Sequence, residues 1–147
     1  MREVIDGVRP VADGVGLSKV VNHEIPKKVL EEMLQVMRGF HELPKEVKAE
    51  YYRNIAMQYS KHAHKLGVTL FELLSEGLGL KPDHLIGLDC ANGHLTVGNY
   101  HPPCPELELT IGVGRHTGNT FFTMLLQDNV NALQVLYQNQ WINVLLV

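Results

Sequence analysis

The chain has 147 residues, 45% hydrophobic and 20% charged, a globular composition with room for one ordinary core. Its formal net charge of −3, with no block of Lys or Arg, offers no electrostatic footprint for nucleic acid or an anionic membrane, so neither is expected as a partner. Two cysteines, Cys90 and Cys104, are too few for a disulfide scaffold and are expected as free thiols.

Met1 to Asp6 carries acids where a signal peptide would have an apolar run, and no uninterrupted apolar stretch is long enough to span a bilayer. A cytoplasmic location is expected. Val20-Val21-Asn22-His23, after Gly14 and Gly16, predicts a short strand leaving a turn. Ile25-Pro26 then starts a helix, because the amide that proline lacks has no intrahelical partner at the first position. Leu30, Met33 or Leu34, Met37 and Phe40 give that helix one buried face.

Pro44 opens a second helical pattern through Val47, Tyr51, Ile55, Tyr59, His62, Leu66, Leu70, Leu73, Leu74 and Leu78, ending at Gly79-Leu80-Lys81-Pro82. Globular helices average about 11 to 12 residues, so this run is expected to break, with Gly67 one candidate. His62 and His64 are two apart on a helix and point to different faces, which argues against a metal pair. His23, His41 and His84, beside turns or helix ends, are expected to be solvated or capping.

After Pro82 the period changes to two. Asn92-Gly93 is a tight-turn dipeptide, Leu95 and Val97 alternate, and so do Leu107, Leu109, Ile111 and Val113, which predicts half-buried strands. Phe121 to Gln127, Leu133 to Tyr137 and Trp141 to Val147 are further strands, the last two joined as a hairpin through Gln138-Asn139-Gln140. Leu125, Leu126 and Trp141 are expected in the core. The fold class is α+β, with a mainly helical region over 1–82 and a strand region over 83–147.

Three motifs remain: Asn99-Tyr100-His101-Pro102-Pro103-Cys104-Pro105, His116-Thr117-Gly118, and Leu125-Leu126-Gln127-Asp128 followed by Leu133-Gln134-Val135-Leu136. In order and spacing they resemble plant 2-oxoglutarate and iron(II)-dependent dioxygenases, most of all the branch called 1-aminocyclopropane-1-carboxylate oxidase homologues. The resemblance implies that residues 83–147 are the first half of a double-stranded β-helix, or jelly roll. It implies iron(II) and 2-oxoglutarate as cofactors, oxidation of a small organic substrate, His116 as a metal ligand, and Asn99 and His101 as contacts of the co-substrate. The Pro102-Pro103-Cys104-Pro105 run is expected to be a rigid connector.

The departures from that family decide what to expect of activity. Such oxygenases hold iron with two histidines and one carboxylate on one face of the metal. His-x-Asp supplies two of them, because residues two apart on a strand share a face. Here Gly118 stands where the family has the Asp, and the second His and the Arg-x-Ser clamp for 2-oxoglutarate fall beyond Val147. No catalytic residue is assigned and the chain is expected to be inactive. Iron halogenases also carry Gly or Ala in place of the Asp, but they keep both histidines and the clamp. A non-catalytic binding or interaction protein derived from the family is the alternative.

The resemblance also suggests that a block of family residues is missing near Tyr52-Arg53, so that two helices are fused or joined by a tight bend. Tyr51 and Tyr52 are then expected to be more exposed or more mobile than Leu70, Leu73 and Leu74. Glu24, in Asn22-His23-Glu24-Ile25-Pro26, replaces a family glycine that eases a turn. An incomplete barrel leaves open strand edges, and the apolar Met124-Leu125-Leu126 and Val144-Leu145-Leu146-Val147 predict self-association.

Overall fold

A computed structural model describes residues 16–42, 49–118, 120–130 and 132–145. Expectations resting on Met1 to Asp6, Gly14, Pro44, Val47, Leu146 and Val147, and on the Tyr51 side chain, lie outside the described residues. The elements in order are α1 (Lys27–Glu42), α2 (Ala49–Gly77), α3 (His84–Gly87), a 3-10 turn (Leu107–Leu109), β1 (Gln134–Tyr137) and β2 (Gln140–Asn143). Helices precede an antiparallel pair of strands, which is the α+β order expected.

The approach to α1 is a bent loop rather than the strand predicted at Val20-Val21, and both valines are exposed. Apolar character alone does not make a strand where no neighbour offers a ladder. The loop turns through Asn22 and Glu24, at φ +54° and +59°. His23 accepts a hydrogen bond from the Ile25 amide at 3.1 Å, the capping role expected of it, and the Pro26 carbonyl takes the first helical bonds from Val29 and Leu30.

Glu24 occupies the left-handed region, which disfavours a side chain by roughly 1–2 kcal/mol and suits glycine. Its ion pair with Lys65, 3.7 Å long between two exposed side chains, offsets little of that. Glu24→Gly is therefore expected to stabilise the fold by about 0.5–1 kcal/mol after glycine's greater unfolded-state entropy is counted. A higher urea midpoint at unchanged slope would show it, and a lower midpoint would contradict it.

The buried face of α1 is Val29, Met33 and Val36, one residue round from the stripe expected. Met33 belongs to both stripes; Phe40 is 44% exposed and Leu30 only half-buried. Met37 packs, as expected, on the cluster of Val36, Tyr52 and Ile55 that joins α1 to α2. Tyr52 is 7% exposed while Leu70, Leu73 and Leu74 are half-buried, the reverse of the order of exposure predicted.

The expected break in α2 is absent: one helix of 29 residues passes through both Tyr52-Arg53 and Gly67. Of its buried positions, Tyr52, Ile55, Ala63, Gly67, Phe71 and Ser75 keep helical spacing along its length, and Gly77 is buried at its end. A single glycine costs a helix about 1 kcal/mol against Ala, which a continuous packed face outweighs. Near Gly67 lie Met124 and Phe122, whose tips would be 3.7 and 3.9 Å from an added Cβ.

α2 ends where the sequence indicates, in a Schellman turn. Gly79 sits at φ +76°, its amide bonds the Glu76 carbonyl, and the Leu80 amide bonds the Ser75 carbonyl, both at 2.9 Å. Ser75, fully buried, donates to the Phe71 carbonyl and accepts from the Leu85 amide, which ties α3 to α2.

The hairpin forms as expected, with Val135 opposite Ile142 and Leu136 opposite Trp141. Gln138 and Asn139, at φ +48° and +61°, make the two-residue turn whose twist matches paired strands. The other predicted strands do not form among the described residues. Residues 94–98, 111–113 and 122–127 have no ladder, and Leu107–Leu109 winds into a 3-10 turn. Leu95, Leu109 and Ile111 are 85%, 76% and 82% exposed rather than half-buried. Leu125 and Trp141, expected in the core, are more than half exposed, and Leu126 is half-buried. Alternation marks one apolar side of a segment, but pairing and burial need a neighbour on that side.

Candidate functional site

The Asn99-Tyr100-His101 segment is held by the end of α1. On one flank, Gly98 lies so close to Met37 that an added Cβ would overlap the sulfur. On the other, the Tyr100 ring stacks on His41, with centroids 5.1 Å apart and planes 7° off parallel. The Tyr100 hydroxyl donates a hydrogen bond to Glu42. That bond, with some desolvation and the Glu42 charge, raises the phenol's pKa against a lowering effect of Arg38. Asn99 and His101 themselves are exposed.

His101 rests against the backbone of Gly112, where a Cβ would come within 3.1 Å of its Nδ1. The contact brings the Asn99–His101 segment to a point four residues ahead of His116. Between them, Cys104 lies 3.2 Å from the Thr110 hydroxyl. That contact, and a backbone hydrogen bond at Glu106, hold its thiol below the ordinary range. Residues 102–104 form neither helix nor strand, as a connector would, and both cysteines are free.

His116 is exposed, with Nδ1 3.0 Å from the Gly114 carbonyl. A carbonyl only accepts, so in this contact Nδ1 is the donor, and Nε2 is the ring nitrogen left free of it. Metal-ligating histidines are commonly oriented this way. Gly118 contributes no donor; a Cβ there would meet only Thr123 Oγ1, at 3.8 Å. Among the described residues no three His, Cys, Asp or Glu side chains come together as a metal group. The residues present thus fit one ligand of an iron site and not the full set.

Sequence reasoning missed the partners of these motifs. Tyr100 and Glu42 are 58 residues apart, and nothing in local spacing couples them. Likewise His94, unremarked in the sequence, lies 2.6 Å from the Ser60 hydroxyl and stacks on His64 at 5.4 Å. His64 is therefore a packing contact between α2 and the segment after α3.

Comparison with known proteins decides the family. The profile of the N-terminal region of non-haem dioxygenases in morphine synthesis matches residues 1–80, and that of the 2OG-Fe(II) oxygenase superfamily matches residues 92–146. The chain belongs to the 2-oxoglutarate and iron(II)-dependent oxygenase family. Among its relatives, deacetoxyvindoline 4-hydroxylase of Catharanthus roseus is 34% identical over 190 residues, covering 97% of this chain and 47% of that protein. The 1-aminocyclopropane-1-carboxylate oxidase homolog 4 of Arabidopsis thaliana is 37% identical over 187 residues, covering 96% and 53%. The chain spans about half the length of these relatives. An alignment of 190 positions that uses 97% of 147 residues leaves about 47 positions with no residue of this oxygenase-family chain. No solved structure matches. No helix among the described residues is long and apolar enough to cross a membrane.

Proposed function

We propose that this chain carries the front part of an oxygenase site, with His116 as one iron ligand and Asn99 and His101 as contacts of 2-oxoglutarate, and that it does not turn over 2-oxoglutarate by itself. The observation that carries this reading is the pair His116 and Gly118. The imidazole is oriented with Nε2 available, while the position two residues on has no side chain. Among the described residues nothing joins that nitrogen as the second histidine and the carboxylate that fix iron in this class of site. No reaction step follows from these residues alone. The family membership favours this reading over that of a non-catalytic binding module.

The test is carbon dioxide release from labelled 2-oxoglutarate with iron(II) and ascorbate. Wild type and His116→Ala are expected to match the metal-only blank. Release in wild type that disappears in His116→Ala would overturn the inactive reading and restore a working enzyme, acting on a small organic substrate.

Two finer features belong to the same proposal. The alternating segments at 94–98, 107–113 and 121–127, unpaired here, correspond to positions that would be strands of a double-stranded β-helix once neighbouring segments are supplied, and the unaligned positions of the relatives fall near Tyr52-Arg53, inside α2. Exposed Leu95, Leu109, Ile111 and Trp141, with the open groove of about 330 Å³ between Leu17, Val135, Ile142 and Leu145, would then favour self-association. Sedimentation at micromolar concentration is expected to show species larger than the monomer; a single monomer boundary would count against it.

A further inference from the structure

We propose that the last turn of α1 is a clamp that sets the conformation of the Asn99–His101 segment, with Glu42 as a positioning residue acting through Tyr100. Its bearing on the co-substrate rests on the proposed roles of Asn99 and His101, but the clamp itself stands on contacts alone.

A relay of rings runs from the core to the motif. Tyr52, buried on α2, meets Phe40 edge-on at 5.7 Å; Phe40 meets His41 edge-on at 5.4 Å; His41 stacks flat on Tyr100. Edge-on contacts at the inner links and a parallel stack at the outer one fix the plane of the Tyr100 ring. A stack still allows the ring to slide in that plane. The hydrogen bond to Glu42 removes that freedom, because it fixes where the hydroxyl end lies.

One residue before Asn99, the Met37 sulfur occupies the space beside Gly98 that any side chain would need. Asn99 therefore stands between two points held by the same helix, Gly98 on Met37 and Tyr100 on His41 and Glu42. His101 is the next residue on, stopped by Gly112 from the other side. The backbone that carries the two exposed side chains assigned to the co-substrate is thus set by α1.

Glu42, His41 and Arg38 are the charged or titratable groups of α1 that bear on Tyr100. The experiment compares wild type, Glu42→Ala, Glu42→Gln and Tyr100→Phe by NMR of Asn99 and His101, with alkaline titration of tyrosinate absorbance in the same proteins. Wild type minus Tyr100→Phe isolates the Tyr100 phenol, expected to ionise above an ordinary tyrosine and to fall toward it in Glu42→Ala. Glu42→Ala and Tyr100→Phe are expected to shift or broaden the Asn99 and His101 resonances while leaving those of Phe71 in place. Glu42→Gln, which keeps an acceptor, is expected to restore them. Unmoved Asn99 and His101 signals in Glu42→Ala, or a Glu42→Gln that behaves like Ala, would overturn the clamp. Titration of 2-oxoglutarate with manganese(II) is read separately: if those signals do not respond although the clamp series behaves as expected, the co-substrate assignment fails and the clamp stands.

Discussion

Phe71→Ala is expected to lower the free energy of unfolding by about 3–5 kcal/mol, a large share of the roughly 5–15 kcal/mol that holds a small domain together. Phe71 is 6% exposed, and its ring meets Phe122 at 4.7 Å and Phe121 at 5.2 Å. One turn earlier, Gly67 faces Phe122 and Met124. These contacts dock the segment after His116 onto α2, so truncating Phe71 removes buried area and leaves a cavity where two parts of the chain meet. Phe71→Leu, closer in volume, should cost less, about 1.5 kcal/mol or below. Phe121→Ala should also cost less, since Phe121 is 59% exposed. Urea unfolding followed by circular dichroism gives all three values. A loss below 1 kcal/mol for Phe71→Ala would mean that the 121–124 segment is not seated on α2.

What could be read from the sequence was whatever local chemistry decides. The Schellman end of α2 follows from a glycine that reaches positive φ and a proline three residues on, and the hairpin from two short apolar runs joined by Gln138-Asn139-Gln140, of which the structure takes Gln140 into the second strand. The strain at Glu24 was legible only through the resemblance, which puts a glycine at that turn. Failures came where the answer lies in a neighbour. Gly67 looked like a break because propensity was weighed without the face running from Tyr52 to Ser75. The alternation from Leu107 to Val113 looked like a half-buried strand, yet no other segment among the described residues pairs with it.

The site divides along the same line. His116, Gly118, Asn99 and His101 were singled out because the resemblance rests on contiguous motifs. The Nδ1 contact that orients His116 spans only two residues, yet it depends on a backbone bend at Arg115 that composition does not encode. The hold of Glu42 on Tyr100 crosses 58 residues and exists only once α1 lies beside the motif. Residue types reveal which groups can do chemistry; the packing of α1 on α2 determines what holds them.

Gly118→Asp is expected to raise affinity for a divalent metal by about tenfold or more without restoring turnover. The position accepts a side chain: Gly118 is not at positive φ, and an added Cβ would make only an ordinary contact with Thr123 Oγ1. In an extended segment His116 and Asp at 118 share a face, and a carboxylate beside Nε2 adds a charged ligand to a neutral one. Taking a charge-assisted contact of about 1.5–3 kcal/mol as the lower bound gives the tenfold figure. Turnover is a different requirement, since a third protein ligand and a partner for the distal carboxylate of 2-oxoglutarate are still lacking among the residues described. Cobalt(II) titration of wild type, Gly118→Asp, and Gly118→Asp with His116→Ala separates the two. Affinity should rise in the first variant and fall back in the second, with carbon dioxide release at the blank in every case. A Gly118→Asp variant that binds no better than wild type would remove His116 from the metal site; one that releases carbon dioxide in a His116-dependent manner would show that the remaining ligands are supplied after all.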